Sequence, residues 1–222
     1  VIMGYANVVL EGTFGAVNDE QNKALTTILR CSNDLLIMIN DIMTATKIEA
    51  EKLEVEWNEV RPAEILEEMK SLYRVRRNER VALRWDYSSR LPAFVSDGDK
   101  IKHILQNLIN NALKFTDEGT VTVTAETFER DGKPYCLGLK VSDTGIGIPR
   151  EMHATIFQMF RQVDGTTTRS HEGVGLGLFI VKKFTEYLGG SVAVESQVNQ
   201  GSTFTVILPL ARHVTKVDTP RV

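Results

Sequence analysis

Asn107, Asn111 and Lys114 recur at steps of four and three in the stretch QNLINNALKF, residues 106–115. On an α-helix, at about 100° per residue, they fall within an arc of roughly 60° on one edge. Ile101, Ile104, Leu105, Leu108 and Ala112 cluster beside that edge as an apolar stripe. Two amides and an ammonium placed together can hold a magnesium ion through a carbonyl oxygen and neutralise phosphate charge. Taken alone, the same edge is better read as a polar face turned to water. Asn110 points further round, with His103, towards solvent. Asn is a poor helix former because its side chain competes for backbone hydrogen bonds, so three in one helix ask for a reason.

Two glycine-bearing stretches follow. DTGIGIP, residues 143–149, comes directly after a strand-like run. Such a segment is either an ordinary turn or a loop whose glycines let backbone approach a ligand closely. In the second case the Asp143 carboxylate is placed to accept a hydrogen bond from an exocyclic amine, such as N6 of adenine. EGVGLGLF, residues 172–179, opens a helix, with glycines at 173, 175 and 177. Helix N-termini bind phosphates through free N–H groups and the dipole. The stretch is not a Walker A loop, which ends in Gly-Lys-Ser/Thr. Nor do the HRD and DFG triplets of protein kinases occur anywhere.

The elements that must position these groups are legible from periodicity. Residues 1–13 read as the end of an apolar helix, and EGTFGAVNDE, residues 11–20, as a turn and a new helix start. A long helix then runs to about Glu54. It carries two adjacent, mainly apolar rows, Ala24, Ile28, Cys31, Leu35, Met38, Ile42 and Ala45 beside Leu25, Leu29, Ser32, Leu36, Ile39 and Met43. Two rows make a stripe wider than a coiled-coil seam. A two-helix hairpin cannot bury such a stripe alone. Homodimerisation into a four-helix bundle satisfies it, and packing onto the rest of the chain is the alternative. Pro62 opens a helix that runs to about Asn78. Strands are expected at 80–87, 93–97, 119–129 and 135–143, and a final hairpin at 191–197 and 201–210. Asp97 is placed to cap the asparagine-bearing helix. Helices mixed with mostly antiparallel strands, without strict alternation, give an α+β class with helices on one face of a sheet.

Composition narrows the partners. The 222 residues carry a formal net charge of −3, which gives no reason to expect nucleic-acid binding. No apolar run approaches the length of about 20 residues that spans a bilayer, so no membrane contact is expected of this segment. Cys31 and Cys136 are far apart and amid apolar neighbours, and read as two buried reduced thiols of a cytosolic protein.

Asparagine-rich helix, Asp-x-Gly-x-Gly and Gly-x-Gly-x-Gly, in that order, resemble the catalytic core of the sensor histidine kinases of two-component signal transduction. NLINNALKFT resembles the family's N box, DTGIGIP its first glycine box and FQMF, residues 157–160, its F box. EGVGLGL resembles the second glycine box, and GSTFTVILP, residues 201–209, the closing strand. Residues 18–56 resemble the second helix of the dimerisation and phosphotransfer domain.

The resemblance implies three segments. Residues 1–56 form a helical hairpin that makes a dimeric four-helix bundle. Residues 57–210 form an α/β sandwich ATP-binding domain with a mixed, mostly antiparallel sheet, shared with gyrase-type ATPases. Residues 211–222 are a polar tail. It further implies that Asp143 binds adenine N6 with support from Thr203 through water. Gly145 and Gly147 shape the adenine pocket. Asn111 ligates Mg2+, with Asn107 and Lys114 close to the phosphates of ATP. Gly173, Gly175 and Gly177 flank those phosphates. Residues from about 150 to 172 form a mobile lid, anchored by Phe157 and Phe160, with Arg161 and Arg169 as phosphate contacts and His153 and His171 on the surface.

Two departures qualify the likeness. Val174 stands where the family often has Thr, which removes a hydroxyl but leaves the backbone N–H. None of His103, His153, His171 and His213 has the sequence context of the family's phosphoacceptor. The sequence is expected to start just downstream of that His and so not to label itself. The implied activity is transfer of the γ-phosphoryl of ATP to a His, then to an Asp on a response-regulator receiver domain, in the cytoplasm or on the cytoplasmic side of a membrane-anchored sensor. A dimeric nucleotide-binding scaffold without kinase activity and a gyrase-type ATPase are the rival readings.

Overall fold

The computed structural model describes residues 1–74, 80–130, 133–161 and 175–211. Arg169, His171, Gly173, Val174 and His213 lie outside the described residues. The chain divides into two compact units, Val1–Leu53 and Glu54–Val222.

The first unit is a pair of helices, α1 (Ile2–Leu10) and α2 (Asp19–Glu49). Asn18 starts α2 with a capping box: its side chain accepts the Gln21 N–H at 2.8 Å, and the Gln21 side chain accepts the Asn18 N–H at 2.9 Å. Two orphan donors of the first turn are thereby satisfied. The helix stops earlier than its apolar pattern suggests, because Glu51 takes a left-handed φ of 54°. Only Ala6, Ala45 and Ile48 of these helices are buried. Ile28, Leu35, Leu36, Ile39, Ile42 and Met43 are exposed. Cys31 lies on that uncovered stripe and is exposed, not buried as its neighbours suggested.

Among its described residues the second unit carries two sheets and three α-helices. β1 (Asn58–Val60) pairs antiparallel with β3 (Phe94–Ser96), a small sheet for which the sequence offered only its second strand. β2 (Val81–Tyr87), β4 (Gly119–Arg130), β5 (Lys133–Asp143), β6 (Ser191–Gln197) and β7 (Gly201–Pro209) form the main sheet, in the order β2-β4-β5-β7-β6. Only β2 and β4 run parallel. Their crossover contains α4 (Gly98–Lys114), as a parallel connection requires a long excursion. α3 (Pro62–Arg74) and α5 (Gly177–Tyr187) complete the unit.

Strand alternation sorts the core. Val121, Val123, Leu137, Leu139, Val141, Val206 and Leu208 are at most 1% exposed. The intervening Thr122, Thr124, Lys140, Ser142, Thr203 and Thr205 point to the other face and are half-buried. Cys136 falls on that outer face, opposite Phe128 and Pro209, while Leu137 takes the core side. It is therefore half-buried rather than buried. α4 inserts Ile101, Ile104, Leu105, Leu108, Ile109 and Ala112 into the core. Complete burial of a Leu or Ile contributes about 2 kcal/mol, so this stripe outweighs the poor helix propensity of its asparagines.

Candidate functional site

α4 positions the asparagine edge, and its cap fixes where it begins. Asp97 is 4% exposed and accepts the Lys100 N–H at 3.1 Å, the Glu56 N–H at 3.0 Å and the Lys100 ammonium at 2.6 Å. Burial pushes the Asp97 carboxyl up, but the ammonium and the two N–H groups outweigh it and hold it below the usual carboxylate range.

Asn107, Asn111 and Lys114 are all half-buried on this helix. The Asn107 amide nitrogen donates to the carbonyl of His103 at 3.1 Å. Its Oδ1 faces α5, where a Cβ added to Gly177 would stand 2.6 Å away. Gly177 is thus the residue that lets the start of α5 reach the asparagine edge. Lys114 sets its ammonium 5.1 Å from the centre of the Phe115 ring, which is 38% exposed beside the edge.

Asn110 does not face solvent. The Tyr73 hydroxyl donates to its Oδ1 at 2.8 Å, and Tyr73 is 4% exposed. The third asparagine ties α3 to α4, and no wheel drawn on one helix reveals that. His103 likewise packs edge-on against Phe184 of α5, with centroids 5.3 Å apart.

The loop after β5 is held on both sides. Asp143 Oδ1 accepts the Gly145 N–H at 2.8 Å. Burial raises the Asp143 carboxyl above its ordinary range, and hydrogen bonds from the Gly145 and Ser202 backbones oppose this. From the α4 side, the Phe115 carbonyl accepts the Ile146 N–H at 3.2 Å. A Cβ on Gly145 would stand 2.1 Å from that carbonyl oxygen. From the β6–β7 side, the Ile146 carbonyl accepts the Asn199 N–H at 2.7 Å. A Cβ on Gly147, whose φ is 68°, would stand 2.0 Å from the Gln197 carbonyl oxygen. Both glycines permit close backbone approach, and the loop is packed rather than a free turn.

Two expected contacts fall elsewhere. Thr203 pairs with Ser142 and donates to its hydroxyl at 2.9 Å on the outer face, away from Asp143. Ser202, one residue earlier, is 7% exposed and lies on the Asp143 side of the strand. Strict alternation from Asp143 across the β5–β7 register is the signal that separates the two. Phe157 packs edge-on against Phe204 with centroids 6.3 Å apart. The Phe160 ring is 64% exposed, not packed as an anchor among the described residues. The residue takes a left-handed φ of 58°, and its N–H donates to the Gly175 carbonyl at 3.1 Å. Arg161 is exposed next to it, with its backbone against Gly175. His153 is half-buried, with Nε2 3.1 Å from the Ile148 carbonyl oxygen.

α5 begins at Gly177, later than the glycine run suggests, because Gly175 has φ 72° and cannot continue a helix. Leu176, at its N-cap, makes no side-chain cap hydrogen bond. The amide donors and dipole of this helix start suit an anion. Among the described residues no cluster of three His, Cys, Asp or Glu side chains can hold a metal. A divalent cation here fits the donor set only if nucleotide oxygens and water complete its shell around an amide oxygen, the mode Mg2+ favours. No described helix is long and apolar enough to cross a membrane.

Residues 96–212 match the family described as histidine kinase-, DNA gyrase B- and HSP90-like ATPases. The circadian input-output histidine kinase CikA of Synechococcus elongatus is 35% identical over 94% of this chain and 28% of its own length. The signal transduction histidine-protein kinase BarA of Escherichia coli is 33% identical over 91% and 22%. The autoinducer 2 sensor kinase/phosphatase LuxQ of Vibrio cholerae is 36% identical over 92% and 24%. The chain thus spans less than a third of each of these relatives. Among solved structures, full-length ShkA in complex with AMPPNP superposes with a TM-score of 0.71 at 30% identity, covering 95% of this chain and 42% of that one. The catalytic domain of histidine kinase ThkA gives 0.59 at 25% identity, covering 71% and 99%.

Proposed function

The chain belongs to the family of histidine kinase-, DNA gyrase B- and HSP90-like ATPases, with a histidine-kinase-type ATP-binding catalytic domain in its second unit, and on that premise we propose that it is the catalytic core of a sensor histidine kinase. It binds Mg-ATP and transfers the γ-phosphoryl group to a His, for relay to a response-regulator Asp.

The observation that carries this reading is the double engagement of α4. Its C-terminal end meets the Asp143 loop through the Phe115 carbonyl, and Asn107 meets the start of α5 at Gly177. The three constellations of the sequence therefore converge on one helix. Asp143 accepts from the adenine amine, with Gly145 and Gly147 shaping that end of the pocket. Asn107 and Lys114 lie close to the phosphates, Gly173, Gly175 and Gly177 flank them, and Arg161 and Arg169 are phosphate contacts from the lid. Asn111 holds Mg2+, which supplies neutralisation of the phosphate charge. The residues act by positioning and electrostatics, as phosphoryl transfer demands.

Asn107 stands at the early position of the N box, where a gyrase-type ATPase carries a glutamate. An amide oxygen cannot take a proton from water, which favours transfer to a protein acceptor over hydrolysis. The exposed apolar stripe of α2 supports a homodimeric four-helix bundle, because a second copy covers what one chain leaves open.

Incubation with γ-labelled ATP tests whether any of this chain's own four histidines accepts the phosphoryl group. The expected result is bound nucleotide and no label on the chain, because His103 packs against Phe184 and His153 is held at the Ile148 carbonyl. Stable label on His103, His153, His171 or His213 contradicts it.

A further inference from the structure

Ser196 of β6 sits where the Asp143 loop, the start of β7 and Ser202 meet. Its hydroxyl oxygen accepts the Ile148 N–H at 2.7 Å, its proton goes to the Gly201 carbonyl at 2.8 Å, and its third neighbour is the Ser202 hydroxyl at 3.0 Å. A serine hydroxyl has one hydrogen and two lone pairs. Either hydroxyl could donate in the Ser196–Ser202 contact; the Gly201 carbonyl, which can only accept and lies nearer, is assigned the Ser196 hydrogen, which leaves Ser202 to donate. Ser202 then has lone pairs alone to offer on its remaining side. That residue is nearly buried, shares the strand face of Asp143 and hydrogen-bonds the Asp143 carboxylate through its backbone. The approach is close: a Cβ on Gly201 would stand 1.9 Å from the Asp143 carbonyl oxygen.

We propose that Ser196 is a specificity-determining residue: through Ser202 it makes this edge of the pocket accept hydrogen bonds only, and so selects a purine bearing an exocyclic amine over one bearing an exocyclic carbonyl. The inference rests on the reading of the Asp143 loop as the base site. An ionised Asp143 is an acceptor without a proton to give, and Ser202 is locked into the same polarity. A 6-amino group, or a water it orients, finds two acceptors there. A 6-oxo group meets lone pairs with lone pairs and leaves buried groups unpaired, the arrangement by which polar sites reject close analogues. Without Ser196 the Ser202 hydroxyl is free to rotate and donate to an oxo group. Ser196 is a positioning residue in this scheme and does not itself touch the base.

Affinities for ATP and for inosine triphosphate, measured by calorimetry on the whole chain, test the proposal. The wild type should prefer ATP. Ser196→Ala should reduce that preference about ten-fold, the factor that one ordinary hydrogen bond carries, and Ser196→Thr should restore it. Ser202→Ala, with Ser196 intact, should reduce it to a similar degree, which keeps the test open if Ser196→Ala fails to fold. Equal losses for both nucleotides in Ser196→Ala, or full preference retained in Ser202→Ala, overturn the proposal while leaving the base site standing. A wild-type chain that binds neither nucleotide overturns the site reading and the proposal with it.

Discussion

The Oδ1 atom of Asp143 accepts the Gly145 N–H at 2.8 Å, so the residue proposed to face the base also holds the loop that follows it. Burial raises this carboxyl above its ordinary range. The ionised form is the acceptor that adenine needs. ATP affinity should therefore decline on acidification at a pH above that at which an ordinary aspartate protonates, about 3.9. The sign for stability is opposite: a raised carboxyl binds its proton more readily when folded, so this group alone favours the fold as pH falls. Calorimetric titrations across pH check the first statement, and Asp143→Asn should remove the dependence along with most of the affinity.

Gly177→Ala places a methyl group 2.6 Å from Asn107 Oδ1. Either the amide turns or α5 shifts, and a displaced ligand to a charged group costs about ten-fold in affinity. ATP binding should weaken by that order while the thermal unfolding of the chain changes little. Unchanged ATP binding would remove Gly177 and its neighbour from the phosphate site.

The cap of α4 should make the fold acid-sensitive. Asp97 is held below the usual carboxylate range, so its contribution is complete above the unfolded aspartate value and is lost as pH falls through the folded one. Asp97→Ala removes the cap, the tie to Glu56 and the partner of a Lys100 side chain that is only 12% exposed. Loss of one partner of a buried pair costs about 3–5 kcal/mol, readable as a fall in the urea midpoint. The asparagine variant should retain part of this stability.

Thr116 is 1% exposed, and its hydroxyl oxygen is the one buried side-chain polar atom without a partner among the described residues. Thr116→Val keeps the shape and removes that oxygen. The nucleotide-free chain should gain about 1 kcal/mol. A loss in denaturant melts would show that the hydroxyl is bonded in solution.

The stripe of α2 predicts its own test. Leu35 is 58% exposed and Ile42 45%. Leu35→Glu combined with Ile42→Glu should convert a dimer to a monomer in light scattering without loss of ATP binding. A wild-type chain that is monomeric at high concentration would contradict the bundle.

What was legible in the sequence follows what each signal encodes. Apolar periodicity reports one element at a time, so the α4 stripe and the sheet strands were plain. Contacts between elements were not. The same wheel that grouped Asn107 with Asn111 sent Asn110 to solvent, because nothing in it shows Tyr73 arriving from α3. GSTF identified a strand but not which of its hydroxyls faces Asp143, since that depends on the β5–β7 register. Phe160 looked like an anchor by type, and its left-handed backbone turns the ring outward. β1 is three residues long and exists by pairing with β3, a partner that no local pattern reveals.

The proposed Mg-ATP site depends on α4 joining its base loop to its phosphate edge. Calorimetric titration of the chain with ATP, in magnesium and in a chelator, tests it most directly when run beside Asn111→Ala. Saturable one-to-one binding that magnesium strengthens is expected, with the magnesium effect abolished in Asn111→Ala. Binding that is absent in the wild type, or equally magnesium-dependent in Asn111→Ala, would contradict it.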